Sequence, residues 1–432
     1  MELRAVLERH RWMKWFAAKD ARHTPFTRQW PSFMVVVAIS MAIVIARRPD
    51  ALYNAQFWAE DGRNFYANAY NLGPLHSLFL PYSGSFQEIQ RVTSSIAVLL
   101  PLRLGPLFLN LCAIAIQILP IALLWSPRFQ RLVPNTSARA LISFLYLALP
   151  NTGEIDASIT NSAWHLSLVA LMILILTDSK TRMWRWFDRT VLVMVGLSGP
   201  FVFFLAILAS IDWWRSRDKV RLERFSLLAL LALVQLAVLA ASAGSRRHSP
   251  LGSSLHLLVQ IMAGQIFLTP LVGQEYARKL VQAPHYTVII ASTGIAILGY
   301  AFWQCTRPLR LLLSFAGLAL SAALVSPLTS GPEGAWHILS RVGSGGRYFF
   351  LPMIAWMVCL VWLASSHRVL PRFIGIILLF TACAVGIPRD WIYQPYADLG
   401  YGSQVKAFNQ SPNGTVRSFP INPGWTMVLR KQ

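Results

Sequence analysis

Two carboxylates stand side by side in Trp58-Ala59-Glu60-Asp61-Gly62-Arg63, a few residues past the first long apolar run of the chain. With Trp58, Tyr66 and Tyr70 close in sequence, this is the depth at which an apolar wall meets water. Partial desolvation there raises a carboxylate's basicity, which suits Asp61 or Glu60 to general-base work. The same spacing also lets Asp61 cap a short helix beginning at Gly62. A second group follows in Gly153-Glu154-Ile155-Asp156, with Asn161, Trp164 and His165 at the start of another apolar run. Asn161 and His165 are four apart and share a helix face, so they could bind a polar ligand. The alternative is an interfacial helix start with Trp164 as its anchor. Glu154, Asp156 and His165 could hold a divalent metal ion, although their spacing is not diagnostic of one.

Arginines form the third group: Arg63 and Arg91 early in the chain, and Arg341 and Arg347 late. In Ser344-Gly345-Gly346-Arg347-Tyr348 the glycines let the backbone approach a ligand, while a guanidinium grips phosphate through paired hydrogen bonds. The alternative for Arg347 is snorkelling to lipid headgroups. Together the groups suit one reaction. If a sugar arrives on a lipid phosphate, the leaving phosphate needs charge stabilisation, which arginine supplies, and the attacking hydroxyl needs a carboxylate to take its proton.

The elements that must position these residues are membrane helices. The chain has 432 residues, 55% of them hydrophobic and only 13% charged, too apolar for a soluble enzyme. Apolar stretches of roughly 18 to 22 residues recur from Trp30 to Pro388 and match a hydrocarbon core about 30 Å thick. They are continuous and lack strand-like alternation, so helices are expected and a barrel is not. The net charge of +21 lies in short basic blocks between apolar runs. That pattern marks cytoplasmic loops and argues against a nucleic-acid partner. Cys112, Cys305, Cys359 and Cys383 lie in or beside apolar runs and read as small core residues.

Residues 1–29 read as a cytoplasmic, basic amphipathic arm leading into an uncleaved first helix, and 30–388 as a multi-span domain. A first span at about 30–46 delivers a long outer loop, 47–103. The basic blocks Arg128/Arg131/Arg139 and Lys180/Arg182/Arg185/Arg189 are both expected inside, which requires spans at about 138–150 and 159–177 between them. The block at 215–224 is expected inside again, so the apolar stretch before it should form a short hairpin bent at Gly199-Pro200. A second outer region, 245–285, would hold Leu255–Val272 as a re-entrant or surface helix. Spans at about 286–304, 311–329, 347–364 and 371–388 bring the total to about eleven crossings. The tail, 389–432, reads as a small outer strand-and-turn cap, with a turn at Asn422-Pro423-Gly424-Trp425. The expected fold is thus an all-α polytopic membrane protein with a long first outer loop.

Several short stretches resemble the polytopic glycosyltransferases of the C-type fold, in particular bacterial membrane proteins of the serotype-modifying glucosyltransferase kind. They are Trp58-Ala59-Glu60-Asp61-Gly62, Pro81-Tyr82-Ser83-Gly84 with Arg91, Gly153-Glu154 through Thr160-Asn161 to Trp164-His165, Gly196-Leu197-Ser198-Gly199-Pro200, and Gly346-Arg347-Tyr348. The resemblance implies inverting sugar transfer on the periplasmic side of the bacterial inner membrane, with the amino terminus cytoplasmic and the carboxyl terminus periplasmic. A polyprenyl-phosphate sugar would be the co-substrate, and an envelope glycan or lipid the acceptor. By it, Asp61 resembles the catalytic base, with Glu60 second, and Arg347 a phosphate holder, helped by Arg91. Arg63, Glu154, Asp156, Asn161, His165 and Tyr348 would belong to the substrate site. No further cofactor is assigned, and a divalent metal remains possible without a supporting motif. The chain departs from larger members in lacking a big soluble carboxyl-terminal domain. The rival readings are a flippase or exporter of lipid-linked glycans, and a glycan polymerase.

Overall fold

A computed structural model describes residues 26–177, 179, 181–242, 250–329 and 332–432. The basic arm expected at 1–29 lies outside these residues up to position 25, as does Lys180. The described chain is predominantly helical. In chain order its main elements are α1 (Phe26–Arg47), α2 (Asp61–Tyr66, a π-helical turn, continuing through Ala67–Leu72), α3 (Glu88–Ala97), α4 (Gly105–Leu124), α5 (Thr136–Leu147), α6 (Ser162–Ile175), α7 (Arg182–Gly196), α8 (Phe201–Ser216) and α9 (Lys219–Ala241). There follow α10 (Leu255–Val272, with a π-helical turn at Met262–Leu268), α11 (Pro284–Gln304), α12 (Arg307–Val325), α13 (Gly346–Ala364), α14 (Val369–Arg389), α15 (Tyr401–Gln410), β1 (Val416–Ile421) and β2 (Trp425–Arg430).

Among the described residues, seven helical runs are long and apolar enough to cross a membrane: Leu102–Leu124, α9, α10, α11, α12, α13 and α14. This is the make-up of a multi-pass membrane protein. Some details differ from the sequence expectation. The span expected at 138–150 is α5, a helix of 12 residues. At 1.5 Å per residue it is about 18 Å long, short of a hydrocarbon core of about 30 Å, because the chain leaves the helix ahead of Pro150. Leu255–Val272, expected as a re-entrant or surface helix, is a helical run of 18 residues, long and apolar enough to cross a membrane. The outer loop expected at 47–103 is largely helical, and the tail carries α15 ahead of its hairpin.

The chain folds as two compact units assembled from discontinuous segments: Met1–Ile43, Ile118–Thr152 and Ser249–Trp391 form the first, and Val44–Gln117, Gly153–His248 and Ile392–Gln432 the second. In the first unit α13 is the central helix, with 83% of its apolar window buried, whereas α11 at 22% leaves most of its surface to lipid. Phe267 of α10 meets Trp356 of α13 edge to face at 5.0 Å. Tyr146 of α5 packs on Phe350 of α13 at 6.0 Å. Gly375 lets α14 touch the backbone of α13: a Cβ there would stand 2.4 Å from the Ala364 nitrogen and 2.9 Å from the Leu360 oxygen. Lipid tails supply no hydrophobic drive between helices, so such close packing is what holds them together.

In the second unit the helix does break between α7 and α8, at Leu197-Ser198-Gly199-Pro200, and that break docks on the start of α3. The amide of Glu88 donates to the Leu197 carbonyl at 3.0 Å, and that of Ile89 to Ser198 Oγ at 3.0 Å. Gln235 of α9 accepts from the Phe86 amide at 2.9 Å. The tail closes over α2. Strands β1 and β2 pair antiparallel from Val416↔Arg430 to Ile421↔Trp425. Phe408 of α15 meets Phe419 at 5.4 Å, and the Tyr401 hydroxyl donates to the Leu102 carbonyl at 2.7 Å.

Substituting Gly375 by Val should destabilise the protein by about 1–3 kcal/mol, since backbone atoms of α13 cannot yield without parting the helices. Gly299→Val on α11, where nothing lies within 4 Å of an added Cβ, should leave stability unchanged. Thermal unfolding of both variants in detergent micelles checks this contrast.

Candidate functional site

The second unit holds the acidic site, and its geometry starts with a turn. Ala59 adopts φ +40°, with its amide on the Asn422 carbonyl at 2.6 Å, and Trp58 stacks on Tyr396 at 4.8 Å. This bends the chain so that Asp61, the first residue of α2, is only 3% exposed, while Glu60 is half-buried. Gly62 permits the bend, because a Cβ there would run into the Phe57 side chain at 2.9 Å.

Asp61 does not cap its own helix. Its Oδ1 accepts two hydrogen bonds from Thr160, 99 residues away: one from the amide at 2.8 Å and one, short, from the hydroxyl. The Thr160 carbonyl in turn accepts from Gln90 Nε2 at 2.8 Å. Burial pushes the Asp61 carboxyl up from 3.8 to about 7; the Thr160 hydroxyl opposes this, the Glu60 charge adds to it and the Thr160 amide opposes it. A buried carboxylate poised near neutrality fits a general base, provided its proton partner reaches it.

Thr160 belongs to the segment 153–161, which is fastened to the end of α1. Arg48 Nη1 donates to the carbonyls of Gly153 at 2.5 Å and Asp156 at 3.1 Å. Arg47 pairs with Asp156 at 3.3 Å, and the Tyr393 hydroxyl donates to the same carboxylate oxygen at 2.6 Å. The two guanidiniums lie over aromatic rings of the tail, Arg47 over Tyr393 at 4.5 Å and Arg48 over Tyr396 at 4.2 Å. Ala157 is anchored through its amide to Gln117 Oε1 at 3.1 Å.

These contacts change how several expected site residues are read. Asp156, Asn161 and His165 are all buried. The Asp156 carboxylate serves the clamp on Arg47, and His165 Nε2 lies 3.9 Å from it. Asn161 Nδ2 donates to the Glu154 carbonyl at 2.8 Å, closing the turn. These side chains shape the segment carrying Thr160; they do not present a polar face. Nor do Glu154, Asp156 and His165 converge: among the described residues no three His, Cys, Asp or Glu side chains are placed to hold a metal ion.

Arg91 is buried on α3, donating to the Asn64 carbonyl at 3.3 Å with its guanidinium 5.1 Å from the Phe65 ring. Burial lowers it to about 10, against the pull of Glu88. Arg63 is exposed and lies over Trp425 of β2 at 5.1 Å. Arg347 belongs to the first unit, where its Nη2 donates to the Tyr348 hydroxyl at 3.4 Å. The glycines before it are shaped from α10: Gln265 Nε2 reaches the carbonyls of Leu339, Arg341 and Ser344 at 2.8, 2.9 and 3.1 Å, while its Oε1 accepts from Asn151 Nδ2 at 3.2 Å. Gly345 takes φ +63°, and Gly346 opens α13 against the Asn151 carbonyl, 2.7 Å from where a Cβ would stand. Gln265 sits in the π-helical turn of α10, the kind of local distortion that recurs at functional positions.

Sequence reasoning quoted Thr160 only within a motif, without a role, and missed Gln90, Gln265 and Glu88. Glu88, half-buried at the start of α3, is pushed up to about 7 by burial, with Arg91 opposing. One signal was available. In Glu88-Ile89-Gln90-Arg91-Val92-Thr93-Ser94-Ser95 the polar residues Gln90, Arg91, Thr93, Ser94 and Ser95 are buried, while Ile96 and Leu99 further on are exposed. A helix with its polar face inward, in a membrane chain, marks a polar interior.

Compared with known proteins, the chain matches no family model, no curated protein and no solved structure. Fold and site define a class: a multi-pass α-helical membrane protein with a buried, hydrogen-bonded carboxylate shortly after α1.

The elevated Asp61 carboxyl carries a stability consequence. The folded state favours its protonated form, so this contribution is complete below 3.8 and is lost as pH rises through about 7. Asp61→Asn removes the charged form. Its melting temperature should exceed that of wild type by a margin that widens between about pH 4 and pH 7 and then levels off, as measured by thermal unfolding in micelles.

Proposed function

We propose that the protein is a membrane glycosyltransferase that moves a sugar from a polyprenyl-phosphate carrier to a cell-envelope glycan or lipid. The observation that carries this reading is Asp61, a carboxylate withdrawn from water, near-neutral in basicity and held by Thr160 from across the chain. In the proposed reaction an acceptor hydroxyl attacks the anomeric carbon of the sugar. The bond from that carbon to the phosphate oxygen breaks, its electron pair leaves with the polyprenyl phosphate, and the hydroxyl proton passes to Asp61. The Gly346-Arg347-Tyr348 motif supports a phosphate-holding role for Arg347. Glu60 is the second carboxylate available to the acceptor. The short motifs that resemble C-type glycosyltransferases support the same reading.

The accompanying topology is multi-pass in a bacterial inner membrane, with 1–29 cytoplasmic and 47–103 and 389–432 periplasmic. The basic blocks between the apolar runs support it.

The purified protein in vesicles, supplied with a radiolabelled polyprenyl-phosphate sugar and envelope lipid as acceptor, tests the proposal. Asp61→Asn should lower transfer about 100-fold or more, the usual contribution of a general base. Thr160→Val, which deletes the hydroxyl donor to the carboxylate, should retain turnover but move the acidic limb of the rate profile to higher pH by about 1–2 units. Wild-type rates in the Asp61→Asn protein would remove Asp61 from the base role. Movement of labelled carrier across the bilayer without acceptor, and without transfer, would favour a flippase.

A further inference from the structure

One end of the second unit gathers the starts of α7 and α9 with the end of α8. Two ion pairs fix this arrangement. Arg189 of α7 holds Glu223 of α9 at 2.6 Å, and Arg224 of α9 lies 3.5 Å from the buried Asp188 of α7. Helices α8 and α9 are separated only by Arg217 and Asp218, so their ends coincide. Arg224 also ties in the end of α6, through the carbonyls of Ile173 at 3.0 Å and Leu176 at 2.7 Å.

The acids of this end are engaged within it. Besides Asp188 and Glu223, Asp212 pairs with Arg221 at 3.4 Å, and Asp218 caps α9 through the Arg221 amide. Arg182, Arg185, Arg215, Arg217 and Lys219 are exposed and have no acidic partner among the described residues. Apolar side chains stand among them: Met183 is 70%, Trp186 55% and Trp214 65% exposed. Arg217 takes a left-handed backbone, φ +54°, where glycine is favoured, and its guanidinium lies 4.0 Å above Trp214 and 5.3 Å from Trp213. Further along α9, Leu230, Leu233 and Leu236 are all at least half exposed, a flank that acyl chains cover.

We propose that this basic and aromatic collar binds the headgroups of anionic phospholipids. Guanidiniums pair with phosphate oxygens, indole rings favour the headgroup layer, and the leucine flank of α9 extends from the collar into the hydrocarbon. A soluble acidic partner would match the charge but not that flank. The collar stands apart from Asp61 and Thr160, so it does not depend on the proposed transfer reaction.

Spin-labelled phosphatidylglycerol and phosphatidylcholine, each added to vesicles holding the intact protein, report how strongly either lipid is immobilised. The wild type should immobilise phosphatidylglycerol severalfold more than phosphatidylcholine. Replacing Arg185, Arg215 and Arg217 together by Gln should bring the two close to parity at unchanged melting temperature. A control that removes the same charge from the tail (Lys406→Gln, Arg417→Gln, Arg430→Gln) should keep the preference. A wild type without preference, a collar variant that retains it, or a control that loses it equally would each overturn the proposal.

Discussion

The hydrogen bonds from Thr160 to Asp61 are the constraint on which the acidic site depends. A carboxylate this deeply withdrawn from water would ordinarily remain protonated, because desolvation penalises its charge. Two donors on one oxygen bring the ionised form back within reach near neutrality. Those donors are useful only if residue 160 stays in place, and this is the work of the segment 153–161 and its attachments. Gln90 holds the Thr160 carbonyl from one side, and the turn closed by Asn161 holds it from the other.

Behind that segment lies the ion pair between Arg47 and Asp156, with both side chains at most 5% exposed. Burying two charges costs several kcal/mol in desolvation for each, so such a pair is weak evidence of added stability. Removing one partner is another matter, since it strands a buried charge at a cost of roughly 3–5 kcal/mol. The pair therefore acts as a fixed point. It ties the end of α1 to the loop that carries Thr160, and Tyr393 of the tail lies over Arg47 and bonds the same carboxylate. Helix end, loop and tail are locked to one another by side chains that composition alone would assign to the surface.

The sequence made the membrane character and the Glu60-Asp61 pair legible, because both are local: apolar runs of crossing length, and two acids placed just past one of them. The partners were not legible. Thr160 meets Asp61 across 99 residues, and Arg47 meets Asp156 across 109, distances that no spacing rule covers. For that reason Asp156 and His165 looked like ligand-binding residues when they belong to the clamp. Glu88 and Gln265 passed unnoticed, one hidden in an unremarkable polar stretch and the other alone in an apolar run. Helix length failed where the chain leaves α5 ahead of Pro150, whereas the bounds of Leu255–Val272 were legible from its apolar run. The tail's turn chemistry located the hairpin, whereas α15 was overlooked although Tyr401, Val405 and Phe408 fall on one helical face.

The account stands on the protonation of one side chain, and infrared difference spectroscopy reads that directly. Spectra of the wild-type protein in lipid, titrated against those of Asp61→Asn, isolate the carbonyl stretch of the protonated Asp61 carboxyl. A band that disappears with a midpoint near 7 is the predicted result. A midpoint near 4, the range of a carboxyl in water, would contradict it and leave Asp61 an ordinary surface acid.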